Sequence, residues 1–219
     1  MKKIFLSALA VFIVFLTHAQ IKKGTVFIGG NINFSHQSSK ADDSLYIPLN
    51  PATNFSFSPS VGWAIKDNLV FGIDLGYGYQ KINYNYASPN YYDKLNSYSG
   101  GIFLRKYATL GSGFYLFGQT DLDFTYTKTS HSQGIPDLQK TKTNTIGLSF
   151  YPGVAYRVSS HWQLETGLPG LAHITYSHMN TTTPLPATAS EAHASGNTFN
   201  AGTTLGSYFQ FSVGILYVI

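Results

Sequence analysis

Phe71-Gly72-Ile73-Asp74-Leu75-Gly76-Tyr77-Gly78-Tyr79 alternates large apolar side chains with small or polar ones without a break. One phase holds Phe71, Ile73, Leu75, Tyr77 and Tyr79; the other holds Gly72, Asp74, Gly76, Gly78 and Gln80. Successive side chains of an extended strand point to opposite faces. The segment therefore shows a bulky apolar face to one environment and a narrow, polar-tolerant face to the other. The same contrast returns elsewhere. Phe55, Phe57, Val61, Trp63 and Ile65 alternate with Ser56, Ser58, Ser60, Gly62 and Ala64, and Ile146, Leu148, Phe150, Val154 and Tyr156 with Thr145, Gly147, Ser149, Gly153 and Ala155.

Eight such strands are expected, at residues 25–35, 55–65, 69–80, 97–107, 114–126, 145–156, 162–176 and 209–219. In the first, Val26, Ile28, Ile32 and Phe34 share the outward phase, with Thr25, Asn31 and Asn33 opposite. In the last, Phe209, Phe211, Val213, Ile215 and Tyr217 do so. Gly100-Gly101 interrupts the phase of the fourth, and Pro169-Gly170 marks a bulge or kink in the seventh. Strands of this length suit a tilted membrane crossing of ~9–11 residues.

Charge content separates the two environments such a sheet could face. Asp, Glu, Lys and Arg make up 11% of the chain, against roughly 25% in ordinary soluble domains. Aromatics reach 16%, with 16 Tyr and 16 Phe. A water-soluble sandwich or barrel needs a charged exterior, and this composition does not provide one. No segment beyond the first twenty residues approaches ~18 consecutive apolar residues, which excludes helical spans there. The formal charge of +4 is too weak to suggest nucleic acid. The chain has no cysteine, which excludes disulfides, thiolate metal sites and a lipid-modified N-terminal cysteine.

The first residues read as an export leader. Lys2 and Lys3 form a basic start, residues 4–16 an apolar core, and Thr17-His18-Ala19 a small-residue cleavage site. Cleavage is expected between Ala19 and Gln20, leaving 20–219 as one barrel domain. The apolar core is short for a bilayer span of ~20 residues.

The connections alternate in length, at about nineteen, three, sixteen, six, eighteen, five and thirty residues in turn, as in an up-and-down barrel with short periplasmic turns and long outer loops. The long ones include 38–44, 88–90, 132–134 and 181–195, rich in Ser, Thr, Asn and Pro. Both termini then fall on the periplasmic side. Trp63 and Trp162 flank short turns with Tyr156 and Tyr217 at similar height, where an interfacial aromatic girdle belongs. Tyr77, Tyr79, Phe124, Tyr126 and Tyr176 lie near the opposite rim. The expected fold is all-β: an eight-stranded antiparallel transmembrane barrel of the cell outer membrane.

Four stretches carry a family resemblance: Gly62-Trp63-Ala64-Ile65-Lys66-Asp67-Asn68-Leu69-Val70-Phe71-Gly72, Phe103-Leu104-Arg105-Lys106-Tyr107, Phe114-Tyr115-Leu116-Phe117, and Phe211-Ser212-Val213-Gly214-Ile215-Leu216-Tyr217-Val218-Ile219. Over residues 24–219 the chain resembles the small bacterial outer-membrane β-barrels of OmpA/OmpX-like, "porin family" type. These motifs are architectural and carry no catalytic signature. The resemblance implies insertion by a barrel-assembly machinery that reads the last strand. Such strands usually end in an aromatic residue; this one ends in Ile219, with Tyr217 two before it.

The inward phase carries Asp74, Gln119, Asp121, Asp123, Gln163 and Glu165, joined by Arg105 if Phe103 points inward. Eight strands enclose a lumen that side chains can fill. The structural reading is a buried network in which Arg105 balances the carboxylates, since unpaired charges there are costly. The functional reading is an ion path or a carboxylate pair for hydrolysis. His36, His131, His178 and His193 fall in or near outer loops, His161 in a short turn and His173 in the seventh strand. Ser177 and His178 suggest a lipid-modifying enzyme, but adjacent strand residues point to opposite faces. Gly111-Ser112-Gly113 is turn material and matches no phosphate loop. The expectation is a non-enzymatic, cofactor-free monomer in outer-membrane lipid, whose loops meet an extracellular ligand in adhesion, recognition or envelope integrity. The alternatives are a lipid-modifying enzyme and a narrow channel for very small solutes.

Overall fold

The computed structural model describes residues 21–38, 50–84, 91–133, 139–168, 171–185, 190–203 and 212–219. The expected leader lies outside these residues. Ten strands are described: β1 (Val26–Gln37), β2 (Ala52–Lys66), β3 (Leu69–Asn83), β4 (Tyr91–Gly111), β5 (Phe114–Gln133), β6 (Gln139–Arg157), β7 (Trp162–Gly167), β8 (Ala172–Leu185), β9 (Ser190–Thr203) and β10 (Ser212–Val218). All pairings are antiparallel. The sheet runs β5-β4-β3-β2-β1-β10-β7-β6-β8-β9, and a further β5–β6 pairing closes β1 to β7 and β10 into a hydrogen-bonded ring.

The count of ten corrects the expectation of eight. The segment expected as one strand over 162–176 forms two, β7 and β8, both paired with β6: β7 against Gly153 to Arg157, β8 against Lys140 to Phe150. Pro169, which lacks the N–H a ladder needs, falls between them; Pro169 and Gly170 lie outside the described residues. β9 occupies a stretch expected to be loop. The last expected strand begins its described part at Ser212, so Phe209 and Phe211 lie outside, as do the loop residues 39–49, 88–90 and 134.

The other strands run past their expected outer ends, because polar Thr- and Ser-rich sequence continues the ladder where apolar alternation stops. Thr141 meets Thr181 hydroxyl to hydroxyl at 3.0 Å, Thr145 meets Ser177 at 2.8 Å, and Gln139 donates to Thr183 at 3.2 Å. β-Branched threonine suits a pleated surface. The connections shorten accordingly.

At the end with short turns the chain is tightly tied. Asn68 takes a left-handed φ of 59°, which Asn tolerates. Its Oδ1 accepts from the Ile21 N–H at 3.0 Å, and Asp67 Oδ1 accepts from the Lys23 N–H at 2.9 Å. Ser112, at φ 50°, sits between Gly111 and Gly113, both also at positive φ, in the turn between β4 and β5.

The two phases separate as the strand pattern requires. Outward residues Ile73, Leu75, Ile102, Leu104, Leu122, Ile146, Leu148 and Phe150 are all exposed. The inward phase buries Phe27, Ala64, Val70, Phe103, Tyr107, Tyr115, Phe117, Ala155, Leu216 and Val218, with Ile21 closing the end. Part of the inward face is thus bulky and aromatic where the sequence suggested a narrow polar one. Tyr107 stacks on Phe27 at 6.0 Å and contacts the Tyr115 and Phe117 rings at 5.9 and 5.8 Å. Gly72 lies against this plug: a methyl there would run into the Phe103 ring, so the aromatic needs the glycine beside it.

Candidate functional site

Directly beyond the aromatic plug, the ring interior turns polar. Arg105 leaves β4 on the same face as Phe103 and Tyr107 and is 7% exposed. Its Nη1 reaches Glu165 Oε2 at 2.6 Å, and Nη2 reaches Oε1 at 3.4 Å. Its Nε donates to Gln119 Oε1 at 2.5 Å, and Nη1 also donates to the Tyr107 hydroxyl at 3.0 Å. The guanidinium lies 4.5 Å from the Phe117 ring centroid, with Phe103 and Tyr107 also within 6 Å. Gln119 relays the network by donating from Nε2 to Asp121 Oδ1. Ser149 donates to Asp121 Oδ2 at 3.5 Å.

Of the seven residues singled out in the sequence, four thus form one connected group: Arg105, Gln119, Asp121 and Glu165. Gln163, fully buried, joins through Tyr107, to which its Nε2 donates at 3.3 Å, while its Oε1 has no partner among the described residues. No side-chain hydrogen bond joins Asp74 or Asp123 to the group. Both line a cavity of about 220 Å³ onto which Arg105, Gln119, Asp121 and Glu165 themselves also face, together with Asn31, Ser58, Ser60, Ser149 and Tyr151. Sequence reasoning missed Tyr107, which ties Arg105 to Gln163. Its signal was its place two residues from Arg105 on the same face.

A charge buried this deeply survives only with dense compensation. Arg105 has it: a carboxylate in fork geometry, an amide oxygen, a hydroxyl and three aromatic faces. The group is built to be filled and fixed. Among the described residues no cluster of three or more His, Asp or Glu has metal-binding geometry.

The girdle residues lie outside, at the short-turn end. Trp63, Tyr156, Trp162 and Tyr217 are between 37% and 50% exposed. Trp162 meets Tyr217 edge to face at 5.1 Å, His161 stacks on Tyr217 at 5.8 Å, and Phe114 meets Tyr156 at 4.5 Å. At the opposite end, Asp93 and His131 share an inward-facing register position and lie 2.6 Å apart, with the Tyr84 hydroxyl donating to Asp93 at 2.6 Å. The sequence reading placed His131 by a loop without this partner. Ser177 bonds Thr145, and His178 bonds Asn197 and Asn180, so these two neighbours do not act on each other.

No protein-family model matches the chain, and no curated protein sequence does. Among solved structures, the chain is similar to the crystal structure of Neisserial surface protein A (NspA). The two share 16% sequence identity, with 91% of this chain and 99% of that chain covered, at a TM-score of 0.43.

Proposed function

We propose that this chain is a bacterial outer-membrane β-barrel protein without enzymatic activity, which anchors surface segments for adhesion, recognition or envelope integrity. One observation carries the reading: over its apolar band a closed strand ring wears apolar side chains outside and turns Arg105, Asp74, Asp121, Asp123 and Glu165 inside. Register rows Ile73-Ile102-Leu122-Leu148-Ile174 and Leu75-Gly100-Phe124-Ile146-Tyr176 form an unbroken apolar wall. A monomer in water rarely exposes patches beyond a few hundred Å². On β6 the outward run from Tyr156 to Ile146 covers ten steps of ~3.4 Å, or about 25 Å of height at a tilt of ~40°. That matches the apolar band of an outer-membrane barrel.

Within this class the Gly62 to Gly72 turn unit supports an OmpA/OmpX-like barrel. The basic-apolar start and the Thr17-His18-Ala19 site support a cleaved leader. The barrel is a monomer in lipid, inserted through recognition of its last strand, with the short-turn end in the periplasm. The lumen is closed to bulk flow by the aromatic plug and the Arg105 network.

A lipid-modifying enzyme is the second reading, and the Asp93–His131 pair favours it: an acid that orients a histidine at the outer end is the beginning of a nucleophile-activating set. Loss of labelled phospholipid turnover in His131→Ala would establish that reading. No turnover by the folded wild-type protein would end it.

Topology is tested by cysteine labelling. Cysteine at Thr183, near the end of the β8–β9 hairpin, should react with an impermeant maleimide on intact cells. Cysteine at Asp67 should react only after the envelope is opened. The reverse pattern would refute the orientation, and recovery of the protein in the soluble fraction would refute the barrel.

A further inference from the structure

Above the apolar wall the outward face of four adjacent strands turns abruptly basic. Continuing upward from Leu75-Gly100-Phe124-Ile146, the next register row is Tyr77-Tyr98-Tyr126-Asn144, then Tyr79-Asn96-Lys128-Lys142, then Lys81-Lys94-Ser130-Lys140. Five of the chain's fourteen Lys and Arg residues thus fall into two neighbouring rows on β3 to β6. Lys94, Lys128, Lys140 and Lys142 are exposed, and Lys81 is half-buried beneath its contact with the Tyr92 ring at 5.0 Å.

No acidic residue occupies the outward phase of these four strands; Asp74, Asp93, Asp121 and Asp123 all point inward. Lys81, Lys94, Lys128 and Lys142 make no ion pair among the described residues. More telling, Lys81 lies directly opposite Lys94, and Lys128 directly opposite Lys142. Like charges in facing strand positions disfavour each other, and Lys81 and Lys94 turn apart, Lys81 over the Tyr92 ring and Lys94 over the Tyr79 ring at 5.9 Å, which spreads the ammonium groups over the patch. β1 and β2 carry no lysine at the corresponding heights: Thr53 and His36 extend the upper row, Phe55 and Phe34 the lower. The basic patch is therefore one-sided.

We propose that this patch binds the phosphate groups of lipids in the leaflet that surrounds the outer end of the barrel. This rests on the membrane-barrel reading above. The lysines continue the lipid-facing phase of the same strands, with a tyrosine row between them and the apolar wall. Their ammonium groups therefore stand where headgroups begin, not on loop tips that reach into solvent. Long lysine stems reach such an interface while their stalks lie on apolar surface. Phosphate oxygens reaching the patch accept charge-assisted hydrogen bonds from these ammonium groups, and lysines near an anionic lipid surface attract it additively.

The test uses the full folded protein in a zwitterionic detergent, titrated with lipid A or with phosphatidylcholine and read by native mass spectrometry. Wild type should hold lipid A in preference to phosphatidylcholine. Lys94→Gln, Lys128→Gln and Lys142→Gln combined should lower that preference by at least about tenfold. Lys22→Gln with Lys23→Gln, at the opposite end, should leave it unchanged. Equal losses in both variants would mean that net charge alone acts and would overturn the proposal. So would displacement of lipid A by dextran sulfate at equal charge, which would assign the patch to soluble polyanions. Heat-modifiable gel mobility after refolding into phosphatidylcholine vesicles reports the barrel itself. A wild type that inserts there yet shows no lipid A preference refutes the patch alone; a wild type that never inserts refutes the barrel.

Discussion

Replacing Arg105 by Met tests whether the interior network holds the ring together. Arg105 makes two contacts with Glu165 and one each with Gln119 and Tyr107, all in a buried setting. Met keeps much of the stem that packs on Phe117 and Phe103 but removes every donor. Glu165, 8% exposed, is left as an uncompensated carboxylate, and breaking such a pair from one side costs ~3–5 kcal/mol. Glu165→Leu alone should cost less, because Arg105 keeps Gln119 and Tyr107. The double variant removes both charges and leaves the Gln119 oxygen without its donor, while the Tyr107 hydroxyl still accepts from Gln163, at ~1–3 kcal/mol. The cycle should therefore show a favourable coupling of ~2–4 kcal/mol. Urea unfolding of protein refolded in vesicles measures it, read by Trp63 and Trp162 fluorescence, since both indoles lie on the outer surface away from the pair. Additive single effects, or a cost below ~1 kcal/mol for Arg105→Met, would refute a structural role for the network.

Other outcomes follow from the same geometry. Leu75→Arg and Phe150→Arg place a cation on the apolar wall and should each destabilise the vesicle-inserted protein by ~2–4 kcal/mol; unchanged urea midpoints would mean that the assigned face is wrong. Gly72→Ala drives a methyl into the Phe103 ring, with the Val61 carbonyl 2.6 Å away, and should cost ~1–3 kcal/mol. Gly100→Ala, whose methyl would meet only Leu75 at 3.4 Å and a backbone oxygen at 3.8 Å, should stay within ~0.5 kcal/mol. Equal effects from the two glycines would argue against the plug. Planar-bilayer recordings of the wild type should show no steady large conductance, and stable channels that pass sugars would show that the interior is open.

How far the fold could be read from sequence depended on whether a strand is apolar on one face. β3 was legible from Phe71 to Tyr79 because each outward residue is large and each inward one small or polar. β8 beyond Tyr176 and β9 were not, because Thr181, Thr183 and Asn197 bridge neighbouring strands with polar side chains that hydropathy alternation does not register. The turn at Asp67 and Asn68 was legible from its residues, whereas the division of the seventh strand into β7 and β8 was only hinted at by Pro169. In β4 the run Phe103-Leu104-Arg105-Lys106-Tyr107 is large in both phases, so alternation alone could not say that three of those side chains face inward. Register with Gly72, and the closeness of Gly62 to the same Phe103 ring, resolves it, since the inward aromatic needs room from its neighbours.

The polar group shows a second limit. Membership in the inward phase could be read residue by residue, but partnership could not. Arg105 and Glu165 lie on β4 and β7, sixty residues apart, and those strands do not pair in the ring. They meet across the interior only when the ring closes with one particular stagger, because a shift of two residues in any strand would carry one partner past the other. The ion pair thus tests closure in a way that no single hairpin does. Each hairpin sets its own register through its turn, but the pairing of β1 with β10 has no hairpin turn to fix it. An inner cross-strut whose charges are poorly tolerated unpaired penalises wrong closures by several kcal/mol. The aromatic plug keeps water from one side of the pair, while the polar cavity borders the other. This accounts for a guanidinium set beside rings at the closed end of the interior, where a merely solvated charge would have no such effect.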